Sequence, residues 1–549
     1  MAASTRTVIN QPPPLVGYDV FGADRVLVEA VKRHLDPVLR GGVCAELGEL
    51  GRSAGSVQAL EWGVLADACP PRLRSHDRFG RRVDEVEFHP AWHRLLGRGV
   101  AAGLTGGWSV PGGSVRRAAA FMVSTQVEAG HCGPLSMTHG AVPVLRSDPE
   151  LAAEWEPLLT SRVYEAGLRP PLEKAGVLLG VGVAEKQAGS DVGAVATWAE
   201  PLAESGAYAL TGHKWFCSAP MSDGFLVLAR VGRGSVGGLT CFLVPRVLGD
   251  GGRNVFAIQR LKDKLGNRSN ASAEVEFEGT WARRVSEEGR GVAVFGGLVA
   301  AARLDGVLGA AALMRQAVAQ AVHHCAFRMV SGRRLVELPL MRGVLADLAV
   351  ESEAATVLGM RLAAACDEGG VREGALLRLM VPVAKFWVAK RCTPLVAEAL
   401  ECLGGNGYVE ESGLPRLLRE APSYGVWEGA GNVLALEVLG VLRREPEALD
   451  AFLREVGRSR GVDRRLDAAV RELLLELGEL EGVEGRARRL VERLAVVFQG
   501  ALLVRFAPPA VADAFCASRL GGEGGVSFGT LPRGLDVAAV VERARPVAV

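Results

Sequence analysis

The sequence lacks several features that would assign a protein to a class at once. Its ten cysteines occur as singletons with no CxxC pair, and its net charge is only +1 over 549 residues. The scattered cysteines predict a reducing compartment, the cytoplasm, and no disulfide framework. A near-neutral charge gives the chain as a whole no preference for nucleic acids or membranes.

Long apolar runs are missing as well. The most apolar helical stretch, GGLVAAARLDGVLGAAALM, is interrupted by Arg303 and Asp305, and no unbroken run reaches the roughly 20 residues that span a bilayer. The first residues, MAASTRTVINQPPP, contain no apolar core of the kind a signal peptide has. We therefore expect no membrane partner. With 49% hydrophobic and 23% charged residues, the chain can instead bury several cores.

The residue composition and the spacing of apolar residues change three times along the chain. Apolar residues spaced three and four apart, as in DRVLVEAVKRHL, indicate helices in the first part. Short β-rich runs such as GFLVLARV and LTCFLVPR follow, separated by glycine-rich turns without intervening helices, which favours an antiparallel sheet or barrel. Long helices then resume, with stops at DEGG and LGGNG that suggest an antiparallel bundle.

These changes predict a mainly α protein with a central β-barrel. The predicted domains are a helical N-terminal domain at 1–180, a β-barrel at 181–290, a four-helix bundle at 291–440 and a C-terminal helical extension at 441–549.

Two short stretches could bind a flat ligand. The small residues of GVGVAEKQAGSDVGAVAT, residues 180–197, would let a ligand approach backbone N–H groups, and Ser190 and Thr197 could donate hydrogen bonds. The stretch lacks the spacing of a dinucleotide-binding loop or a P-loop. In TGHKWFCSAP, Trp215 and Cys217 should share one face of a strand, where an indole can pack against an aromatic cofactor. A free-standing glycine turn and an ordinary core tryptophan are the alternatives.

Other residue pairs carry less information. His89 and His93 in FHPAWH have the i, i+4 spacing of metal ligands, but no third ligand is near and Pro90 interrupts the turn. We therefore predict no metal site. No serine occupies a nucleophile elbow, and no cysteine has the surroundings of a catalytic thiolate.

One carboxylate stands apart from the rest. In VWEGAGN, Glu428 lies between an indole and a run of small residues, and apolar sequence resumes at once. Burial beside an indole disfavours the charged form of a carboxyl group, and the small neighbours leave room for a substrate. Glu428 is thus a candidate proton-abstracting base, with a solvated surface turn as the alternative.

Together these stretches resemble the acyl-CoA dehydrogenase family, and most closely its AidB-type branch of alkylation-response flavoproteins. The resemblance is carried by TVINQPPPL, DEVEFHPAWH, EKQAGSDV, GHKWF, LKDKLGNRSNASAEVEF and WEGAGN, in this order along nearly the whole chain. It implies an FAD held mainly between the barrel and the bundle, an extra C-terminal helical domain and a homotetramer.

The resemblance also implies roles for individual residues. Glu428 would be the catalytic base, with Arg303 near it. The cofactor-binding residues would be Val181, Gly182, Val183, Ala184, Glu185, Lys186, Gln187, Ala188, Gly189, Ser190, Phe216, Cys217, Ser218, Arg328, Val426, Trp427, Gly429, Ala430, Gly431, Asn432 and Leu436. Two positions depart from the family: Ser331 replaces an aromatic residue after Arg328, and Glu401 replaces the glutamine before the GGNG loop. Both departures bear on the contact that a neighbouring subunit would make with FAD.

The chemistry expected from this resemblance is oxidation of a Cα–Cβ bond. A base removes the α-proton while the N5 atom of the flavin accepts a hydride from the β-carbon. Short branched acyl-CoA thioesters, of the isovaleryl-CoA type, are the implied substrates, and Trp427 suggests a narrow pocket. A flavin monooxygenase is a further option within this superfamily.

The rival function is binding of duplex DNA by a protective flavoprotein with little turnover, tied by resemblance to the DNA alkylation response. Residues 451–549 contain 15 arginines, no lysine and 13 acidic residues. The candidate DNA-binding residues are Arg486, Arg488, Arg489 and Arg493, with Arg519 as an extension. Phosphate-driven binding needs a clustered basic face, and the acidic stretch ELLLELGELEGVEG beside these arginines argues against one.

Overall fold

A computed structural model describes residues 7–234, 237–478 and 482–546. The chain divides into two compact units. Unit 1 comprises the described residues of 1–57, 111–126 and 306–549, and unit 2 comprises those of 58–110 and 127–305. Unit 1 contains segments from both the beginning and the end of the chain, so the two units do not correspond to the four predicted domains. The four-domain division made from the sequence therefore stays a prediction.

The first 160 residues are largely helical, as the sequence predicts. The elements are α1 (Arg25–His34), α2 (Pro37–Ala54), α3 (Val57–Ala68), β1 (Arg72–His76), β2 (Arg82–Glu87), α4 (Pro90–Ala101), α5 (Gly113–Val127), α6 (Cys132–Leu145) and α7 (Pro149–Leu159). Aspartates cap three of these helices, since the carboxylates of Asp24, Asp36 and Asp148 accept backbone N–H groups of α1, α2 and α7.

The antiparallel hairpin formed by β1 and β2 is a feature that the sequence analysis missed. Most of its residues are charged, and nearly all are exposed or only partly buried, so neither strand shows a clear apolar alternation. Asp84 and Val86 are buried, at 9% and 5% exposure, and Val86 joins the hydrophobic cluster inside the barrel.

A closed barrel forms the centre of unit 2. Its strands are β3 (Leu179–Gly182), β4 (Trp198–Pro201), β5 (Ala207–Ser218), β6 (Gly224–Val231), β7 (Leu239–Pro245), β8 (Ala257–Leu261) and β9 (Ser272–Arg284). The strand order is β3-β6-β4-β5-β9-β7, with β8 on β9, and the pairing of β7 with β6 closes the ring. The barrel is confirmed, but its pairing is mixed rather than purely antiparallel, because β3 and β4 both run parallel to β6. Those neighbours are far apart in sequence, so a tight hairpin does not constrain their direction.

Four long helices follow the barrel and form the predicted bundle. They are α8 (Gly291–Phe327), α9 (Pro339–Glu368), α10 (Gly370–Glu401) and α12 (Gly431–Arg444), with a two-residue-strand hairpin, β10 (Met329–Val330) and β11 (Arg333–Arg334), after α8 and a short helix, α11 (Leu414–Glu420), before α12. Within unit 1, α10 packs against both α9 and α12. By length and composition, α8 could cross a membrane, and its residues 302–319 are buried, as they are in the core helix of a globular domain.

The C-terminal extension is helical and is tied to α9 by buried arginine–carboxylate pairs. Its helices are α13 (Pro446–Gly457), α14 (Arg464–Gly478), α15 (Ala487–Phe506), α16 (Pro509–Phe515) and α17 (Val537–Ala544). Arg361 of α9 lies 3.2 Å from Glu455 of α13, and Glu353 of α9 lies 2.9 Å from Arg543 of α17. Since these partners are largely buried, the extension is fixed to the bundle by paired charges as well as by apolar packing.

Candidate active site

The segment that carries Glu428 is a tight turn between two helical elements of unit 1. A single 3-10 turn, Ala421–Gly425, precedes it, and α12 begins at Gly431. The amide of Trp427 donates to the carbonyl oxygen of Ser423 at 2.9 Å. The turn leaves Glu428 half buried, so its side chain lies between the core and the solvent, where it can meet a substrate.

The backbone of Glu428 is strained. Its φ is +53°, and Gly429 follows with a φ of +114°. The left-handed region costs a residue with a side chain roughly 1–3 kcal/mol and persists only where the surroundings hold it. Such residues concentrate at active sites, so the conformation is independent support for a functional role of Glu428.

A buried lysine of α10 supports this turn. The Nζ atom of Lys385 donates to the carbonyl oxygens of Tyr424 at 2.5 Å and Trp427 at 2.8 Å, and Lys385 is 0% exposed. The next residue, Phe386, contacts the far end of the turn, since a Cβ on Gly431 would lie only 3.3 Å from its Cε2 atom. Helix α10 therefore holds the turn on both sides of Glu428.

The second predicted cofactor segment lies in unit 2 and is organised around Glu185. Its carboxylate accepts hydrogen bonds from Lys214 Nζ at 2.7 Å, Thr197 Oγ1 at 2.6 Å and the Ala196 amide at 2.8 Å. The side chains of Glu185 and Lys214 are both 0% exposed. Burial would raise the pKa of Glu185, but the charge and hydrogen bonds of Lys214, with those of Thr197 and Ala196, lower it to about 2.

This arrangement changes the roles expected for two residues. Thr197 donates its hydroxyl to Glu185 and is 1% exposed, so it is not the ligand donor that the sequence analysis considered. Glu185 is held ionised and enclosed, and its contacts fix the loop that follows β3. Ser190, by contrast, is exposed and keeps its surface for a ligand.

A bulge in β5 corrects the expected face of Trp215. Lys214 pairs with Val275 and Cys217 with Ala273, so three steps along β5 oppose two along β9. The extra residue breaks the alternation. Cys217 is consequently 0% exposed inside the barrel, where burial raises the pKa of its thiol to about 12.

Outside the barrel the same bulge presents an aromatic pair. Phe216 is 49% exposed, Trp215 is half buried, and Lys262 Nζ lies 3.5 Å from the centre of the Trp215 ring. Trp215 is therefore not an ordinary core tryptophan, and Phe216 offers a flat surface to a ligand.

The predicted cofactor residues fall into two groups by exposure. Those that offer surface are Val181, Val183, Ala184, Lys186, Gln187, Gly189, Ser190, Phe216, Ser218, Arg328, Val426, Trp427, Gly429, Ala430, Asn432 and Leu436. Those that are buried are Gly182, Glu185, Ala188, Cys217 and Gly431. The buried group shapes the two segments and offers no surface to a ligand in this structure. Arg303 is 8% exposed on α8.

Arg328 lies at the base of the small hairpin formed by β10 and β11. Its guanidinium donates to the carbonyl oxygen of Asn10, and the Asn10 side chain accepts from the amide of Met329 at 2.7 Å. Ser331 and Gly332 form the turn with φ values of +49° and +77°. A left-handed backbone at 331 disfavours a bulky residue, which gives a physical reason for serine there. The contact of Arg328 with a neighbouring subunit's FAD stays a prediction, as does the effect of Glu401, which is exposed at the end of α10.

The arginines proposed for DNA are partly neutralised by ion pairs. Arg489 pairs with Glu476 at 3.0 Å and Arg493 with Glu472 at 2.9 Å, while Arg486 and Arg488 are exposed. Residues 479–481 of the neighbouring acidic stretch lie outside the described residues.

Arg519 does not extend this group of arginines. Its guanidinium is enclosed between Asp347 at 2.5 Å and Glu351 at 3.0 Å of α9. Its charge therefore serves to anchor the C-terminal extension.

The two histidines that suggested metal spacing have separate partners. His89 caps α4 by accepting the amide of Ala91, and His93 Nδ1 lies 2.7 Å from the Tyr164 hydroxyl. Within the residues that the structure describes, no group of three or more His, Cys, Asp or Glu is arranged to hold a metal ion.

Comparison with known proteins assigns these segments to one family. Residues 10–166 match the N-terminal domain of adaptive response protein AidB, residues 180–280 the middle domain of acyl-CoA dehydrogenases, and residues 289–441 their C-terminal domain. The chain is 42% identical to the putative acyl-CoA dehydrogenase AidB of Escherichia coli K12, over 95% of this chain and 96% of that protein. The chain belongs to the acyl-CoA dehydrogenase family. Within this family of oxidoreductases, the match along its whole length assigns it to the AidB-type branch.

Two further members of the acyl-CoA dehydrogenase family align over most of the chain. Acyl-CoA dehydrogenase family member 11 of Caenorhabditis elegans is 32% identical over 89% of this chain and 84% of its own length. The crystal structure of C. elegans ACDH-11 in complex with C11-CoA superposes with a TM-score of 0.84 at 27% identity, covering 95% of this chain and 94% of that one. An acyl-CoA dehydrogenase from Bacillus anthracis, crystallised with FAD, shares the fold with a TM-score of 0.66 at 16% identity over 83% of both chains.

Two buried lysines of this acyl-CoA dehydrogenase were missed as functional residues in the sequence analysis. Lys214 anchors the segment after β3, and Lys385 anchors the turn of Glu428. The chain has only eight lysines against 55 arginines. A lysine kept inside an apolar run, as in VPVAKFW, was therefore a signal that a compact ammonium group is needed at that place.

Proposed function

We propose that this protein is an FAD-dependent acyl-CoA dehydrogenase in which Glu428 removes the α-proton of a short branched acyl-CoA. The observation that carries the proposal is the held, left-handed backbone of Glu428 on a half-buried turn. A base must be fixed at the reacting carbon and yet remain open to the substrate, and this carboxylate meets both conditions.

FAD suits the residues present. Large apolar side chains are normally buried, yet Phe216, Val426 and Leu436 are 49%, 71% and 48% exposed. All three belong to the segments that the family resemblance assigns to the cofactor. At Gly189 a Cβ would have open space around it, so the loop after β3 leaves the backbone accessible. When bound, FAD supplies the two-electron acceptor for the hydride that leaves the β-carbon.

The chain's own residues account for the other half of the reaction. Glu428 takes the α-proton as the thioester's Cα–H bond breaks, and Gly429 and Ala430 leave space on one side of the carboxylate. Trp427 precedes the base, and we expect its indole to narrow the space available to the acyl chain. Arg303 stays the residue that the resemblance predicts near this carboxylate.

A short branched acyl chain is the proposed substrate class. The narrow pocket that we expect from Trp427 supports it, while the C. elegans relative, crystallised with C11-CoA, supports a longer chain. The decisive measurement is anaerobic bleaching of the bound flavin by a series of acyl-CoA thioesters. We expect the fastest bleaching with four- or five-carbon branched chains; bleaching that rises steadily toward long linear chains would contradict the proposed class.

The catalytic role itself is tested by Glu428→Gln, which keeps the shape of the side chain and removes its basicity. We expect the variant to bind FAD and to slow bleaching by about 10³-fold or more. Equal bleaching by variant and wild type would remove Glu428 from the mechanism.

Binding of duplex DNA is the second candidate function, supported by the exposed Arg486 and Arg488 at the start of α15. The ion pairs of Arg489 and Arg493 reduce the net charge of the same surface. A double change, Arg486→Ala with Arg488→Ala, should weaken salt-sensitive duplex binding; DNA retention that does not vary with salt would contradict this function. A homotetramer stays a prediction that light scattering would test.

A further inference from the structure

The carbonyl group of Trp427 belongs to the peptide plane that precedes Glu428. The φ angle of Glu428 is the rotation about its N–Cα bond, between that plane and the rest of the residue. A group that fixes this carbonyl therefore restricts φ, because the chain that follows is held as well, with Gly431 close to Phe386 of α10. Lys385 Nζ donates to this oxygen at 2.8 Å and to the carbonyl of Tyr424 at 2.5 Å. One ammonium group thus binds two carbonyl oxygens of the turn, which belong to residues three positions apart in the sequence.

The neighbouring helix is shaped to accommodate this lysine. A Cβ at position 306 of α8 would lie 2.8 Å from Lys385 Cε and 3.1 Å from its Cδ, so the glycine there provides the space that the aliphatic stem occupies. At Gly309, one turn further, a Cβ would lie 2.5 Å from the Tyr424 hydroxyl. Two glycines on one face of α8 therefore admit the lysine and the tyrosine whose carbonyl it binds.

Arginine would not substitute for this lysine. A planar guanidinium is larger and donates along fixed directions, whereas an ammonium donates in three directions from one compact atom. Two carbonyl oxygens around a single Nζ need that compact geometry. In a chain with 55 arginines and eight lysines, a lysine at this buried position is consistent with such a need.

We infer that Lys385 is a positioning residue for the candidate base. It holds the peptide plane before Glu428, which keeps the backbone of Glu428 left-handed and its carboxylate in the orientation needed for proton removal. The inference rests on the proposed function of Glu428. Without the lysine, the plane before residue 428 can rotate and the strained φ can relax. The carboxylate then moves away from the reacting carbon, and a displacement of about 1 Å can cost on the order of 100-fold in rate.

The test is a double-mutant cycle on the full-length protein loaded with FAD. Lys385→Met removes the donors and keeps an unbranched apolar stem. We expect single-turnover bleaching by isovaleryl-CoA to slow roughly 100-fold, with the affinity for the thioester unchanged. In the Glu428→Gln background, where the base is already lost, Lys385→Met should change the residual rate by less than about threefold.

A second readout does not depend on turnover. Hydrogen exchange followed by mass spectrometry should become faster in peptides covering residues 421–432 and remain unchanged in the barrel. Lys32→Met is the matched control, since Lys32 is an exposed lysine of α1, and neither bleaching nor exchange should change in it.

The outcomes separate the two hypotheses. Slow bleaching in Glu428→Gln with a normal rate in Lys385→Met would overturn the positioning role alone, and so would an equal loss in both backgrounds. A wild-type rate in Glu428→Gln would overturn the proposed function and with it this inference. If Lys385→Met does not yield a folded flavoprotein, Lys385→Gln takes its place, because the cycle measures dependence on residue 428 rather than an absolute rate.

Discussion

Two glutamates occupy the two motifs that resemble a flavin site, and their surroundings are opposite. Glu185 is enclosed, paired with Lys214 and bonded to the hydroxyl of Thr197. Glu428 is half buried on a strained turn whose preceding carbonyl is held by Lys385. A lysine thus acts in both places, once on the carboxylate itself and once on the backbone beside it.

The difference separates a structural carboxylate from the one that we propose to be reactive. A pKa lowered to about 2 leaves Glu185 ionised at neutral pH and a poor proton acceptor, since its oxygens are already engaged. Glu428 is positioned through its main chain, which leaves its orientation fixed while its side chain retains exposed surface. The two hydrogen bonds that Lys385 donates to Tyr424 and Trp427 fix the main chain beside Glu428, whereas Lys214 donates directly to the carboxylate of Glu185 and lowers its pKa.

The largest effect is expected from exchanging the two glutamates for glutamine in parallel. Glu428→Gln should lower the bleaching rate by about 10³-fold or more and leave the free energy of unfolding within about 0.5 kcal/mol. Glu185→Gln should do the reverse, with a clear loss of stability and near-normal bleaching in the molecules that remain folded. Stopped-flow absorbance measures the bleaching rate, and urea unfolding measures the stability. If both variants lose bleaching rate to the same extent, the proposed difference between the two glutamates is wrong.

The next largest effect is expected from removing Lys214, the cation of the buried pair with Glu185. Lys214→Met leaves the Glu185 carboxylate buried without its partner, and we expect a loss of about 3–5 kcal/mol in the free energy of unfolding. The double variant Lys214→Met with Glu185→Leu replaces the pair by apolar groups and should recover most of that loss. Failure of the double variant to recover would mean that the pair also orders the loop in a way that apolar packing does not.

Acid should act on Glu185 in a defined pH window. Because its pKa is lowered from 4.5 to about 2 in the folded protein, the stability it contributes is present above pH 4.5 and is lost as the pH falls toward 2. Unfolding free energies measured across this range should fall less steeply in Glu185→Gln than in wild type; parallel curves would contradict the assignment.

The smallest effect concerns Thr197, which the sequence analysis considered as a donor to a ligand. Thr197→Val removes its hydrogen bond to Glu185 and should cost roughly 1.5–3 kcal/mol of stability while the bleaching rate stays normal. Ser190→Ala is the matched control, since this exposed serine should affect stability little. A bleaching defect in Thr197→Val would return the residue to the ligand-binding group.

Several parts of the fold were predictable because their signals are local. The helix ends at Glu368 and Glu401 fall one and three residues before the first glycines of DEGG and LGGNG. The barrel strands were visible as short β-rich runs. The hairpin of β1 and β2 was not, because its stability depends on packing Val86 into a core that its own charged sequence does not reveal.

The site was predicted less completely than the fold. The candidate residues were identified by motif, yet a single bulge between Lys214 and Cys217 enclosed Cys217 and turned Phe216 outward. A bulge depends on the register with β9, which the sequence of β5 alone does not specify. Arg519 was likewise assigned to an exposed face, whereas two carboxylates of α9, 168 and 172 residues away, enclose it.

By itself, the sequence determined most of the helices and the strands of the barrel, that a barrel precedes a bundle, and that Glu428 is the carboxylate to examine. These follow from spacing, glycine punctuation and residue type, all of which act over a few neighbours. Only the tertiary structure decided which glutamate is anchored through its carboxylate and which is oriented through its backbone. Lys214 reaches Glu185 across 29 residues and Lys385 reaches Trp427 across 42, so the charges that set each role meet only when the chain is folded.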